Sequence, residues 1–201
     1  ALKMGASVPT IYASLNGRVM SSMKDQRVKA ETCLQGPPVK PFDMGTPADG
    51  MAPLMDAMVL ACMASYAQGM ELLRIASAEH NYDLHMPAIA QIWKGGCIIR
   101  ARLLKRIQDA FHADPQLPNL LIDPWFAEQV NRRLPGLAKV VAGAAEAGIP
   151  VPCLSSTLDY INSYRTARLP QNLVQAMRDC FGSHTYERTD RDGAFHTEWL
   201  D

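Results

Sequence analysis

In APLMDAMVLACMASYAQGMELLRIASA, residues 52–78, the side chains of Leu54, Met58, Cys62, Tyr66, Met70 and Leu73 recur every three or four positions, the spacing of one helical face. The pattern lasts about seven turns, and the flanking faces are also small and apolar. A helix of this kind has to be buried on more than one side. It is the expected centre of the fold, with Gly69 and many alanines letting neighbouring helices approach closely. Its least charged part, Ala57 to Met70, is shorter than the roughly 20 residues that cross a bilayer and contains Ser65, Tyr66 and Gln68, so it reads as a core helix.

On the N-terminal side, Gly36, Pro37, Pro38, Pro41, Gly45 and Pro47 break any regular element between Gln35 and Gly50, which predicts a surface connection. Before it, Ile11, Leu15, Val19, Met23 and Val28 predict one amphipathic helix from Val8 to Leu34, with Pro9 in its first turn. On the C-terminal side, a short helix from Met86 to Lys94 stops at Gly95-Gly96. A second resumes from Cys97 to Phe111, with Ile99, Leu103, Ile107 and Phe111 inward and Arg100, Lys105 and Arg106 outward.

Asp123-Pro124 has the form of an N-cap followed by a first-position proline, and Pro135-Gly136 predicts that the following helix is kinked or split before Gly148-Ile149-Pro150 closes it. Ser155 or Ser156 would cap a helix bearing Leu158, Ile161 and Tyr164, and a last helix runs from Gln171 to Phe181, ending at Gly182. The rest, with the turn-like Asp190-Arg191-Asp192-Gly193, keeps only Phe195, Trp199 and Leu200 as large apolar anchors. No segment alternates with period two, so the expected class is all-α: a multi-helix body over 1–182 and an extended C-terminal tail over 183–201.

The chain of 201 residues suffices for one principal core. Lys plus Arg and Asp plus Glu number 20 each, so no net field favours nucleic acid or an anionic membrane as partner. Five widely spaced cysteines without a C-x-x-C pair suit reduced thiols in a cytoplasmic protein. The first residues hold no secretory signal and no initiator Met, and the expectation is a chain that begins partway through a longer polypeptide.

Nucleotide-phosphate loops of the G-x-G-x-x-G and G-x-x-x-x-G-K-[ST] kinds are missing, as is H-E-x-x-H. His80, Asp83 and His85 lie at a helix end where solvated polar residues belong, His112 needs no role beyond a helix C-terminus, and no metal site is expected. Arg100 to Arg106 read as a solvated helix face rather than an anion site. Arg178 and His184 differ: a turn at Gly182 would bring guanidinium and imidazole to a common side, a pair suited to a phosphorylated sugar acid. On spacing alone, a helix-end arginine and a surface histidine are the better explanation of the two.

Residues Arg178-Asp179-Cys180-Phe181-Gly182-Ser183-His184-Thr185-Tyr186-Glu187-Arg188, followed by Gly193-Ala194-Phe195-His196-Thr197-Glu198-Trp199, closely resemble the C-terminal signature of the 6-phosphogluconate dehydrogenases. The resemblance continues through Ser65-Tyr66-Ala67-Gln68-Gly69, Gly95-Gly96-Cys97-Ile98-Ile99-Arg100, Gly148-Ile149-Pro150-Val151-Pro152 and Leu169-Pro170-Gln171-Asn172-Leu173, and lapses over residues 38 to 52.

The resemblance implies NADP-dependent oxidation of 6-phosphogluconate at C3, decarboxylation, and tautomerisation to ribulose 5-phosphate, as in the pentose phosphate pathway and gluconate utilisation. It places the general-base lysine, the glutamate acid, the Rossmann domain that holds NADP and a phosphate-binding lysine upstream of this chain, so no catalytic residue is expected here and the chain alone is expected to be inactive. Three substrate contacts carry over: Arg178 and His184, which the family lends to its partner's active site, and Arg18, a phosphate-binding arginine in the first helix. A homodimer whose tail enters the other subunit is implied as well.

The chain departs from the family at Asn16-Gly17, usually Phe-Ala, at Lys94, usually Arg, and at Cys180, usually Tyr. Two other readings stand beside this one: a helical dimerisation module without a retained substrate site, and a relative acting on another hydroxy acid.

Overall fold

The computed structural model describes residues 1–36, 39–42, 44–45 and 47–199. The chain divides into two compact units, residues 1–161 and 162–201. The expected boundary after residue 182 falls inside the second unit, at the end of its helix.

The first unit is all-helical and organised around a 34-residue helix, α3 (Pro47–His80). Ala57, Leu60, Met63, Ala64, Ala67 and Met70 are sealed on it and join Phe126, Val130, Leu137 and Val140 of α6 (Pro124–Glu146) in one core. By length and composition alone α3 could cross a membrane. Its buried face and its polar groups, which bond within the protein, make it a core helix: Gln68 reaches α1 (Pro9–Ser22), and Glu71 Oε2 accepts from Asn119 Nδ2 at 2.8 Å.

Asp123 caps α6 as its sequence implies, accepting from the Trp125 and Phe126 amides at 3.0 and 3.1 Å, with Pro124 in the first turn. Gly148, at φ 66°, turns the chain out of α6 in the left-handed region that glycine tolerates.

The structure corrects several boundaries. The single helix expected over Val8–Leu34 is two, α1 and α2 (Lys24–Cys33), broken at Met23. There Arg27 donates to the carbonyls of Met20 (2.9 Å) and Ser21 (3.2 Å), and Ser22 Oγ to that of Val19, supplying side-chain donors where the helix gives way. The connection predicted through Gly50 ends earlier, because Pro47 serves as a first helical residue.

Of the kink or split expected at Pro135-Gly136, the split does not occur, since α6 is continuous. Gly136 is instead a close-approach site against α3: a Cβ there would lie 2.8 Å from Asp56 Cβ and 3.2 Å from Pro53 Cα. Between α4 (Met86–Ile92) and α5 (Leu103–Ala113), residues 97–102 are not helical and Ile99 is 43% exposed rather than inward. The Tyr66 hydroxyl donates to the Ile99 carbonyl and holds this segment as a loop. Finally, α7 (Pro152–Tyr164) starts before Ser155; Ser156 and Thr157 donate back to the Cys153 carbonyl instead of capping.

The second unit contains α8 (Asn172–Gly182) and a short antiparallel hairpin, β1 (Tyr186–Glu187) and β2 (Ala194–Phe195), with Tyr186 opposite Phe195 and Glu187 opposite Ala194. Two-residue strands are too short to show period-two alternation, so the tail, expected to lack regular structure, hid them. The anchor Leu200 lies outside the described residues.

Candidate substrate-binding site

Each unit carries part of the expected site. In the first, α1 begins at Pro9, and its N-cap residue Val8 supplies no side-chain cap. Its first amides are satisfied from the core instead: Thr10 N–H donates to Gln68 Oε1 at 3.1 Å, Gln68 Nε2 donates to Thr10 Oγ1 at 3.0 Å, and Thr10 Oγ1 lies 3.1 Å from Thr157 Oγ1. Gln68 and Thr157 are fully buried, so this network fixes the start of the helix that presents Arg18. Arg18 itself is exposed. Asn16 and Gly17 line a depression of about 630 Å³ with Met20, Val141, Ile149 and Pro152.

In the second unit, α8 carries Arg178 near its C-terminus, and Ser183, at φ 49°, caps the helix in the left-handed region by donating its amide to the Asp179 carbonyl at 2.8 Å. That turn brings Arg178 and His184 to one depression of about 390 Å³, bounded by Val174, Met177, Phe181 and Gly182. Gly182 is needed there: a Cβ on it would lie 3.0 Å from both Cδ2 and Nε2 of the His184 ring. Gln175 holds the pair in register, accepting from Arg178 Nη1 at 3.0 Å through Oε1 and donating to the Thr185 carbonyl at 2.6 Å through Nε2.

The residue that sequence reasoning missed is Asp179. Its side chain is sealed from solvent and gathers four partners: the Thr185 amide at 2.9 Å and His196 Nδ1 at 2.9 Å on Oδ1, and the Thr197 amide at 3.0 Å and the Trp199 indole N–H at 2.8 Å on Oδ2. Burial alone would push this carboxyl up, but the bonds from His196, Thr197, Trp199 and Thr185 outweigh it and hold it well below the usual carboxylate range. The same contact raises the His196 imidazole above its ordinary value.

Asp179 therefore ties α8, the loop after His184 and the tail into one piece. The signal in the sequence was a single acidic residue beside Arg178 with donors downstream, which spacing cannot pair. Phe195 and Trp199, expected as anchors for another subunit, are engaged within their own unit: the Phe195 ring lies beneath the Arg191 guanidinium at 4.5 Å, and the Trp199 indole bonds Asp179.

Chemically, an arginine fork beside an imidazole at an open, shallow depression can hold a phosphate or hydroxyl group. No group of three or more His, Cys, Asp or Glu that could hold a metal occurs among the described residues.

Comparison with known proteins gives a consistent picture. Residues 1–199 match the family described as 6-phosphogluconate dehydrogenase, C-terminal domain. The chain is 53% identical to a decarboxylating 6-phosphogluconate dehydrogenase of Synechocystis sp. and 50% identical to that of Synechococcus elongatus, in both cases over 100% of this chain and 42% of the relative. A solved Plasmodium falciparum 6-phosphogluconate dehydrogenase, described in apo form and in complex with its cofactor NADP+ and its substrate 6-phosphogluconate, superposes with a TM-score of 0.89 at 40% identity, over 99% of this chain and 43% of that one. The chain thus spans less than half the length of the relatives it matches, and it belongs to the 6-phosphogluconate dehydrogenase family as a C-terminal domain.

Proposed function

We propose that this chain is the helical part of an NADP-dependent, decarboxylating 6-phosphogluconate dehydrogenase, in which Arg18, Arg178 and His184 bind the substrate 6-phosphogluconate. The observation that carries the reading is the shared depression of Arg178 and His184, with both side chains set by Gln175 and the turn at Gly182. Arg178 would grip phosphate oxygens with its fork, His184 would donate to a phosphate or hydroxyl oxygen, and Arg18 would contribute a further phosphate contact. Oxidation and proton transfer fall to groups outside this chain. No strand, glycine loop and helix cradle occurs among the described residues, so NADP would be held elsewhere in the protein.

A homodimer is part of the same reading. Leu173, Val174, Met177 and Phe181 of α8 stand exposed around Arg178 and His184, with Phe181 at 82%, and such a face is suited to cover by a second subunit. That arrangement would deliver Arg178 and His184 to the partner's substrate, with residues 183–201 docking there. A cytoplasmic or other reducing compartment fits five free cysteines.

The test is substrate affinity in the full-length protein. Arg178→Ala and Arg18→Ala should each weaken 6-phosphogluconate binding by roughly ten- to a hundredfold, the equivalent of ~1.5 to 3 kcal/mol for a charge-assisted contact. Losses below threefold for both would overturn the site and favour a helical module that only dimerises. The 201-residue chain alone should reduce no NADP.

A further inference from the structure

The first unit carries another concave surface, and its lining is almost entirely cationic. Lys94, Arg100, Ala101, Arg102 and Lys105 surround a depression of about 390 Å³ between α4 and α5. Its shape follows from the corrected loop. Past α4, Gly95-Gly96 turns the chain, with Gly96 at φ 66°, and the Tyr66 hydroxyl pins the Ile99 carbonyl. Arg100 and Arg102 are thereby placed across from Lys94 and Lys105 instead of being spread around a helix, as the sequence had implied.

Few groups neutralise these charges. Lys105 pairs with Asp109. Among the described residues Lys94 donates to the neutral side chains of Gln91, at 3.2 Å, and Gln108. Arg100 and Arg102 are exposed and have no side-chain hydrogen bond or carboxylate partner among the described residues. Four cations thus face one carboxylate. The hydrogen bond from Lys105 holds the Asp109 carboxyl below the usual range. Arg102 is also the N-cap residue of α5 and gives it no side-chain cap, leaving the positive end of that helix beside the depression. Collecting like charges in a hollow is unfavourable unless an anion relieves it.

We propose that this depression binds a small anion bearing two phosphate groups. Two phosphates carry roughly −1.5 to −2 each at neutral pH, matching four cations less one carboxylate, and two free arginines can each grip phosphate oxygens with a planar fork. The diphosphate chemistry is shared by nucleoside diphosphates and sugar bisphosphates. The site does not depend on the roles assigned to Arg18, Arg178 and His184.

The experiment is a calorimetric titration of the full-length protein with inorganic pyrophosphate at physiological salt. Arg100→Ser/Arg102→Ser is compared with Arg132→Ser/Arg165→Ser, which removes the same charge from exposed positions elsewhere. We expect submillimolar binding that survives Arg178→Ala, falls roughly thirtyfold or more in Arg100→Ser/Arg102→Ser, and changes less than threefold in the control pair. Partial recovery in Arg100→Lys/Arg102→Lys supports the charge requirement and shows that the loop still folds. Competition by ADP or by a hexose bisphosphate then identifies the source.

The proposal is overturned if pyrophosphate fails to bind at about 10 mM, or if both double variants lose affinity equally, which would mean general attraction only. It also fails if the protein binds anionic-lipid vesicles through wholly exposed Ile98 but not pyrophosphate.

Discussion

Along α3, Ala57, Leu60, Met63, Ala64, Ala67 and Met70 are sealed from solvent, whereas α8 seals only Asp179 over its eleven residues and leaves Leu173, Val174, Met177 and Phe181 exposed. The first unit is held by apolar area, which is additive and indifferent to direction. Among its described residues the second has no comparable apolar core, and its tail is held by four hydrogen bonds converging on one carboxylate. Order obtained in the second way is cheap in residues but hostage to single atoms and to protonation. It is also suited to a site, because the bonds that hold the tail set where Arg178 and His184 stand.

The largest effect that would sharpen this contrast is in the apolar core. Phe126→Ala removes a fully buried ring and should cost ~3 to 5 kcal/mol of unfolding free energy, read by denaturant titration, with little change between pH 5 and about 8. A loss below ~1 kcal/mol would show that the core tolerates collapse there.

In the second unit, Asp179→Ala strands four donors, so protease cleavage within residues 185–199 should rise roughly tenfold or more. Unchanged cleavage would break the comparison outright. Gly136→Ala forces a Cβ against Asp56 and the Pro53 backbone and should cost ~1 to 3 kcal/mol.

A subtler effect is pH dependence confined to the tail, followed through the Trp199 indole N–H resonance. Asp179 is depressed, so its contribution is complete above the ordinary carboxylate value of about 3.9 and fades only as pH falls through the lower folded value. His196 is raised, so its contribution is complete below about 6.5 and is lost as pH rises through the higher folded value. The indole signal should therefore hold between these limits and weaken on the alkaline side first. A flat response from neutral to alkaline pH would mean that His196 bonds Asp179 equally well uncharged.

The smallest expected effect has the opposite sign. A Cβ at Gly17 would meet no atom within 4 Å, so Gly17→Ala should stabilise α1 by ~0.5 to 1 kcal/mol, measured by thermal unfolding.

Much of this molecule was written locally. The period of Leu54 to Leu73 announces α3, though Leu54, Met58 and Cys62 of that stripe are exposed and the sealed face is Ala57, Leu60, Ala64 and Ala67; Asp123-Pro124 announces the start of α6, and Gly182 announces the end of α8 and the convergence of Arg178 with His184. Each depends on groups within a turn or two, and helix periodicity and capping are short-range.

Some features that sequence reading missed are local, such as the break at Met23, but three of them depend on partners farther along the chain. Tyr66 holds residues 97–102 out of helix through the Ile99 carbonyl, 33 positions away. Gly136 is placed where α6 approaches Asp56 and Pro53 of α3 closely. Asp179 collects donors from 6 to 20 positions downstream. Residue order alone determined the all-helical class, the main helices and which family the chain resembles, but not every helix boundary. Tertiary structure decided which polar groups lose water together, because a buried carboxylate or a close helix crossing is satisfied only by what folding brings beside it.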